Sequence, residues 1–153
     1  MRILDILPRE SIIVDIQGAT KREVLEELSD AVVKHKPHID RGRLMEVLLE
    51  RERLGSTGIG DGIAIPHGKL KELDQLALSF GRSPQGVDFE SMDGRPTHIF
   101  FLLITPENAT GLHLKLLARI SRILKNEPFK QKLMNANRKE DIYQIIKQED
   151  DSF

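Results

Sequence analysis

The sequence predicts an α/β fold in a single domain over residues 1–153, with a small mixed sheet of parallel and antiparallel strands flanked by helices. The chain is long enough to bury one core of its own, and its 39% apolar and 31% charged residues are typical of globular proteins. Short β-branched and apolar runs, typical of strands, alternate with amphipathic stretches that carry helix-capping signals. The predicted strands cover residues 11–16, 63–65, 76–81 and 97–104.

The first strand, SIIVDI at residues 11–16, is rich in β-branched residues. Thr20 and Glu23 have the spacing of a capping box, which predicts a helix over residues 21–35. Pro37 ends that helix because the residue before a proline disfavours the helical conformation.

A second helix is predicted over residues 41–53, with Asp40 as its N-cap. Residues 55–62 are rich in glycine and are expected to form a loop. Residues 63–65 then form a short apolar strand that ends at Pro66.

Two strands, at residues 76–81 and 97–104, begin the second half of the chain and are separated by turn signals. Three helices follow them. The first is predicted over residues 111–125, the second opens at Pro128, which is favourable in a first turn, and the third covers residues 138–147.

The composition excludes several functions. The chain has no cysteines, which excludes disulfides, thiolate chemistry and thiol metal sites. Its net charge of -1 argues against the basic face that nucleic-acid binding requires. The longest apolar run, residues 99–104, is too short to span a bilayer, and the N-terminus lacks the apolar core of a signal peptide. We therefore expect a cytoplasmic protein with no nucleic-acid partner, no membrane insertion and a frayed acidic end at residues 148–153.

The segment GIGDGIAIPHGK, residues 58–69, carries the main functional signal. It places His67 between a proline and a glycine, after a run of glycines that allow unusual backbone conformations. A histidine in an ordinary strand-end turn would not require these glycines. Glycine-dependent segments gather at working sites, so the pattern favours a functional role for His67.

An arginine breaks the apolar stripe of the second helix. Leu44, Val47 and Leu48 form that stripe, and Arg51 occupies its next position, where the helix meets the glycine segment. The stripe alone favours a structural interpretation, in which the aliphatic stem packs and the charge complements the helix dipole.

A histidine likewise lies on the apolar stripe of the long helix at 111–125. His113 precedes Leu117 by one turn and lies near the helix N-terminus, with Thr110 as the expected N-cap. Free backbone N–H groups there attract anions, and the same field favours neutral imidazole. Taken alone, a histidine satisfied within the core is the simpler interpretation.

Together, His67, His113 and Arg51 are typical of a phosphoryl site that works without a metal. Neutral imidazole is a nucleophile for phosphorus, and an arginine neutralises phosphoryl oxygens. Backbone N–H groups complete such a site, and Gly68 is the predicted phosphate-binding backbone position.

Other chemistries fit these residues less well. The glycine segment does not open a helix and lacks the GK[ST] ending, which argues against a dinucleotide site and a P-loop. A zinc site could use His67, His113 and Asp61, but no pair has the close spacing common in metal sites. Ser56 and Thr57 could serve a hydrolase, but nothing in the sequence marks either as activated.

The run RERLGSTGIGDGIAIPHGKL, residues 51–70, closely resembles the enzyme IIA domains of the phosphoenolpyruvate-dependent phosphotransferase system, of the fructose/mannitol class. STGIGDGIAIPHGK, with LHLKLLARISRIL and DIYQII downstream, is most similar to the nitrogen-regulatory branch. The resemblance covers nearly the whole chain. It implies that His67 accepts a phosphoryl group through Nε2 from an HPr-like carrier, that His113 supports this group and that Arg51 stabilises its charge.

The resemblance implies two downstream roles. Members of the nitrogen branch are regulators, read by partners such as transporters or sensor kinases, whereas sugar-type members pass the phosphoryl group to a IIB partner. A binding module that has lost the chemistry is a third alternative.

We expect Ile59 and Ile63 to contribute to the docking surface. Asp61 either orients the imidazole tautomer of His67 or repels the phosphate bound to it, or else it faces water in a Gly-Asp-Gly turn.

Overall fold

A six-stranded mixed sheet lies at the centre of the structure, a computed structural model that describes residues 1–152. Its strands are β1 (Ile12–Ile13), β2 (Gly58–Gly60), β3 (Ile63–Ala64), β4 (His67–Leu70), β5 (Ala77–Val87) and β6 (Thr97–Pro106). Their spatial order is β1-β5-β6-β3-β2, and β4 also pairs with β6, further along that strand than β3 does. Pairing is antiparallel between β5 and β6 and between β2 and β3, and parallel elsewhere. This confirms the predicted fold class.

Helices cover both faces of this sheet, and β6 is buried between them. Ile99, Phe101 and Leu103 belong to one apolar cluster, whereas the intervening residues of β6 belong to the other. Alternate side chains of a strand point to opposite faces, so an uninterrupted apolar run fits a strand covered on both sides. One cluster includes α1 (Lys21–His35) and α2 (Arg41–Arg53), and the other includes α3 (Thr110–Ile123), α4 (Glu127–Asn135) and α5 (Lys139–Asp151).

The observed bounds of α1 and α2 agree with those predicted from their capping residues. The hydroxyl of Thr20 accepts a hydrogen bond from the backbone N–H of Glu23 at 3.2 Å, and the Glu23 carboxylate accepts one from the backbone N–H of Thr20 at 3.2 Å. The Asp40 carboxylate accepts from the N–H of Arg43 at 3.2 Å. Both helices therefore begin where their N-cap residues predict. Within residues 1–152, no helix has the length and apolar character needed to cross a membrane.

The two ends of the chain depart from the prediction. The first strand covers only Ile12–Ile13: Ser11 belongs to a 3-10 helix at Arg9–Ser11, and the chain bends at residues 14–15. The Ser11 hydroxyl donates to the carbonyl of Ala31. The acidic end is not frayed: α5 continues to Asp151 because the buried Asp150 carboxylate accepts from the Ile3 N–H at 2.7 Å. The predicted end extends to Phe153, which lies outside the described residues.

The segment before His67 is a hairpin rather than the predicted loop. β2 and β3 pair around the turn at residues 60–62, and β4 begins at His67, so the chain remains in the sheet beyond Pro66. The predicted N-cap of α3 was also wrong by one position. Ala109 is the N-cap, and Thr110 is the first residue of the helix.

Candidate functional site

The start of β4 and the first turns of α3 bring His67 and His113 together. Their ring centroids are 5.5 Å apart, and the ring planes meet at 62°. The last turn of α2 forms the opposite wall and carries Arg51. These elements enclose an open cleft of about 590 Å³. It is lined by Val47, Glu50, Arg51, Arg53, Leu54, His67, Gly68, Lys69 and His113.

His67 is held with one ring nitrogen bonded to the backbone. Its Nδ1 lies 2.7 Å from the carbonyl oxygen of Ile65. A carbonyl oxygen can only accept a hydrogen bond, so Nδ1 carries the hydrogen and Nε2 carries the free lone pair. Burial lowers the pKa of His67, the Arg51 charge lowers it further, and the bond to Ile65 opposes both effects. The result is a half-buried neutral imidazole whose nucleophilic nitrogen is Nε2.

His113 is more deeply buried than His67, and its Nδ1 is also held by a hydrogen bond. That nitrogen lies 2.7 Å from the hydroxyl oxygen of Thr105, a buried residue of β6. Burial, together with the nearby His67 and Lys69, lowers the pKa of His113 to about 4. His113 is therefore neutral near neutral pH, and Nε2 is the nitrogen that can meet a ligand.

Arg51 is tied to the turn that follows its own helix. Its Nη1 donates to the carbonyl oxygen of Gly55 at 2.8 Å. This bond occupies only part of the guanidinium, which has five N–H donors in a planar fork. Because Arg51 also lines the cleft, its remaining donors can bind an anion beside His67.

Lys69 is a further cation of the cleft that sequence reasoning missed. Its Nζ donates to the Thr110 hydroxyl at 2.8 Å, which links β4 to the N-terminus of α3. Residues two apart on a strand share a face, so Lys69 lies on the same side of β4 as His67. The HGK spacing would have indicated this if residues 67–70 had been predicted as a strand.

Gly68 is explained by close packing between β4 and α2. A Cβ atom at this position would lie 2.6 Å from Cγ1 of Val47. That separation is too short for a van der Waals contact, so only glycine fits unless the Val47 side chain or the helix shifts. The packing brings α2, and with it Arg51, close to His67.

Residues 1–152 contain no group of three His, Cys, Asp or Glu side chains placed to hold a metal ion. A further cavity, of about 670 Å³, lies beside the N-terminal segment. Three of the side chains that line it are held in ion pairs: Arg9 contacts Glu140 at 2.6 Å, and His35 contacts Glu10 at 2.9 Å. The cleft at His67 instead brings two imidazoles and an arginine to one opening, and this chemistry favours it as the functional site.

Residues 5–149 match the family described as phosphoenolpyruvate-dependent sugar phosphotransferase system, EIIA 2. The chain belongs to this family. Within this EIIA 2 chain, the motif that carried the sequence resemblance forms the end of α2, the β2–β3 hairpin and β4, and it brings Arg51 and His67 to one cleft.

Similar proteins carry two kinds of name. A nitrogen regulatory protein of Bradyrhizobium diazoefficiens is 40% identical over 146 residues, which cover 95% of each chain. The fructose-specific EIIABC component of Bacillus subtilis is 39% identical over 150 residues, which are 98% of this chain but 24% of that protein. The crystal structure of the nitrogen regulatory protein IIA-Ntr from Neisseria meningitidis superposes with a TM-score of 0.87 and 33% identity, covering 93% of this chain and 97% of that one.

Two residues that the sequence analysis singled out within the motif at residues 51–70 lie outside the cleft lining. Asp61 is exposed in the β2–β3 turn, with φ of 56° between Gly60 and Gly62 at 98° and 78°. Its backbone N–H donates to Asp93 at 3.0 Å, in agreement with the turn interpretation. Ile63 is 4% exposed and packs in the core, so its predicted place on a docking surface was wrong.

Exposed apolar side chains are nevertheless present close to the cleft. Leu54, in the cleft lining, is 86% exposed, and Leu114, which follows His113, is 60% exposed. Ile59, predicted as a docking residue, is 46% exposed on β2. Sequence reasoning missed Leu54 because it lies just after the last turn of α2, where no periodic pattern applies.

Proposed function

We propose that this EIIA 2 chain is a phosphocarrier that accepts a phosphoryl group on Nε2 of His67 from a phosphorylated HPr-like protein. A bond forms between Nε2 and phosphorus as the bond between phosphorus and the nitrogen of the carrier breaks. The observation that carries this proposal is the hydrogen bond from Nδ1 of His67 to the Ile65 carbonyl, which leaves the Nε2 lone pair free. No metal and no organic cofactor take part in the proposed step.

The surrounding residues have distinct proposed roles. Arg51 stabilises the charge on the phosphoryl oxygens, and the cation of Lys69 adds to this field. His113 supports the phosphoryl group through Nε2–H, in the tautomer whose Nδ1 accepts from the Thr105 hydroxyl. Gly68 contributes phosphate-binding backbone with no side chain in the way.

We further propose a regulatory role of the nitrogen type, in the cytoplasm, for a single domain spanning residues 1–153. Its support is the similarity to nitrogen regulatory proteins along almost their entire length. Phosphorylation would add about -1.5 to -2 charges beside the exposed Leu54. A transporter or sensor kinase that docks there would therefore distinguish the two states of His67.

A sugar-type role is the second candidate. It is supported by 39% identity with part of a fructose-specific EIIABC component. In that case the phosphoryl group would leave His67 for a IIB partner rather than remain as a signal. A binding module without chemistry is disfavoured because Arg51, His67 and His113 line one cleft.

The test is phosphorylation with phosphoenolpyruvate, enzyme I and an HPr-type carrier, read as acid-labile phosphate by intact mass. We expect label on the wild type, none on His67→Ala and slower labelling of His113→Ala. His38→Ala, which removes an exposed histidine outside the cleft, serves as the matched control and should label normally. An unlabelled wild type would contradict the phosphocarrier proposal. Transfer of the label to a fructose-class IIB domain would favour the sugar-type role.

A further inference from the structure

A buried carboxylate lies directly behind the cleft. Glu52 follows Arg51 in the last turn of α2, and its side chain is only 5% exposed. It accepts hydrogen bonds from the backbone N–H of Thr57 at 3.1 Å and from the Thr57 hydroxyl. Nζ of Lys21 donates to it at 2.9 Å. A buried carboxylate is costly unless it is fully paired, and these three donors pair it.

The same carboxylate is connected to His67 by successive hydrogen bonds. The carbonyl oxygen of Thr57, the residue that Glu52 holds, accepts from the N–H of Ile65 at 3.0 Å. The carbonyl oxygen of Ile65 then accepts from Nδ1 of His67 at 2.7 Å. Ile65 thus bonds Thr57 through its N–H and His67 through its carbonyl oxygen, so Thr57 helps to hold the residue that carries the acceptor for His67.

We propose that Glu52 is a positioning residue for phosphoryl transfer, acting through Thr57 and Ile65 to keep His67 in the tautomer with a free Nε2. The inference rests on the proposed function of His67 as phosphoryl acceptor. Glu52 does not touch the phosphoryl group in this account. Its effect is to fix the backbone that orients the nucleophile, just as outer partners fix the tautomer of metal-binding histidines.

Electrostatics support the same role. Arg51 and Lys69 place positive charge around the two histidines of the cleft, and the Arg51 charge lowers the pKa of His67. Glu52 acts in the opposite direction and raises the pKa of His67. The carboxylate thus offsets part of the cationic field at the nucleophile, in addition to holding Thr57.

The chain offers a matched control. Lys21 bridges Glu52 and Glu90, and Nζ lies 3.1 Å from the Glu90 carboxylate, which is 72% exposed. Glu90→Gln removes one negative charge from the same lysine without removing a partner of Thr57. Glu52→Gln removes the equivalent charge and also weakens the hold on Thr57, because a single amide oxygen replaces two carboxylate oxygens.

The experiment measures tautomers and transfer separately. With 15N-labelled histidine, two-bond 1H–15N spectra of the unphosphorylated protein give the populations of the two neutral tautomers of His67. Transfer from a phosphorylated HPr-type carrier gives kcat and KM. For Glu52→Gln we expect an Nε2–H population raised about threefold or more, kcat lowered about tenfold, and KM for the carrier within about twofold of wild type. Glu90→Gln should match the wild type in all three.

Two results would overturn the proposal: wild-type tautomer populations in Glu52→Gln, or equal changes in Glu52→Gln and Glu90→Gln. If Glu52→Gln does not fold, Thr57→Val decides, because it removes only the hydroxyl bond. Thr57→Val should raise the Nε2–H population of His67 and lower kcat, as Glu52→Gln does, but by smaller factors. Unchanged tautomer populations would refute the role. If the wild type accepts no phosphoryl group, the proposed function fails, while the tautomer populations still decide whether Glu52 positions His67.

Discussion

Acidification should weaken the fold through one identifiable side chain, His113. This imidazole is 5% exposed, bonded to Thr105, and close to the charge of Lys69. Its pKa falls from the ordinary 6.5 to about 4 in the folded chain. Between these two pH values the unfolded chain binds more protons at this position than the folded chain does. The free energy of unfolding must therefore fall as pH decreases from about 6.5 to about 4.

The magnitude follows from the size of that change. Lowering the pKa from 6.5 to about 4 corresponds to about 3 kcal/mol of lost stability once the pH has fallen below both values. Above about pH 6.5 the group is neutral in both states and contributes no pH dependence. For a domain of this size, about 3 kcal/mol is a large part of the total free energy of unfolding.

The assay is urea unfolding of the wild type and His113→Gln at several pH values. Carboxylates and His67, whose pKa is also lowered by burial, are present in both proteins, so the difference between the two curves reports on His113. We expect the stability of the wild type relative to the variant to fall by about 3 kcal/mol between about pH 7 and pH 4. Leu114→Gln, at the exposed neighbouring position, is the control and should follow the wild-type pH profile. Parallel curves for the wild type and His113→Gln would refute the reasoning.

Three further substitutions test other parts of the cleft. Arg51→Lys keeps the charge but loses the planar fork, so phosphoryl transfer should slow by about 10- to 100-fold in a carrier assay; a rate within about twofold of wild type would remove Arg51 from the mechanism. Gly68→Ala would place Cβ 2.6 Å from Cγ1 of Val47 and should cost about 1–3 kcal/mol in urea unfolding. Adding Val47→Ala should recover part of the Gly68→Ala loss, and no recovery would show that this contact is not the cause. Thr105→Val removes the hydroxyl beside His113 and should raise the Nδ1–H tautomer of that histidine in 1H–15N spectra, whereas unchanged populations would contradict the assigned bond.

Local signals explain which elements the sequence could predict. The capping residues Thr20 and Asp40 bond within three residues of themselves, so they fix α1 and α2 without knowledge of the rest of the fold. The apolar run of β6 predicts a strand for the same reason, since its burial on both faces is visible in composition. These features depend on near neighbours only.

The errors arise where distant partners decide the structure. Ser11 lies in a 3-10 helix, where its hydroxyl bonds to Ala31, rather than in the first strand, and α5 persists because Asp150 bonds to the N-terminal segment. His67 lies in a strand because residues 67–70 pair with residues 103–106 of β6. No periodic pattern in the sequence records such pairings.

The glycine segment shows a similar limit for the site. Its glycines predicted a loop over residues 55–62, whereas Gly60 and Gly62 belong to the β2–β3 hairpin, and Gly68 admits the close packing of α2. Sequence reasoning selected His67, His113 and Arg51, which the structure brings to one cleft. It missed the residues that hold them, because those contacts depend on the folded backbone: Thr105, Glu52 and Lys69.

The most direct test of the central claim is to locate the phosphoryl group on the protein. The chain, labelled with 15N at histidine, would be phosphorylated by the HPr-type carrier and studied by 15N and 31P NMR in alkaline solution, where phosphohistidine persists. The account predicts a single phosphorylated site, at Nε2 of His67. Phosphorus bound to Nδ1 of His67, phosphorus on His113, or the absence of phosphohistidine would contradict it.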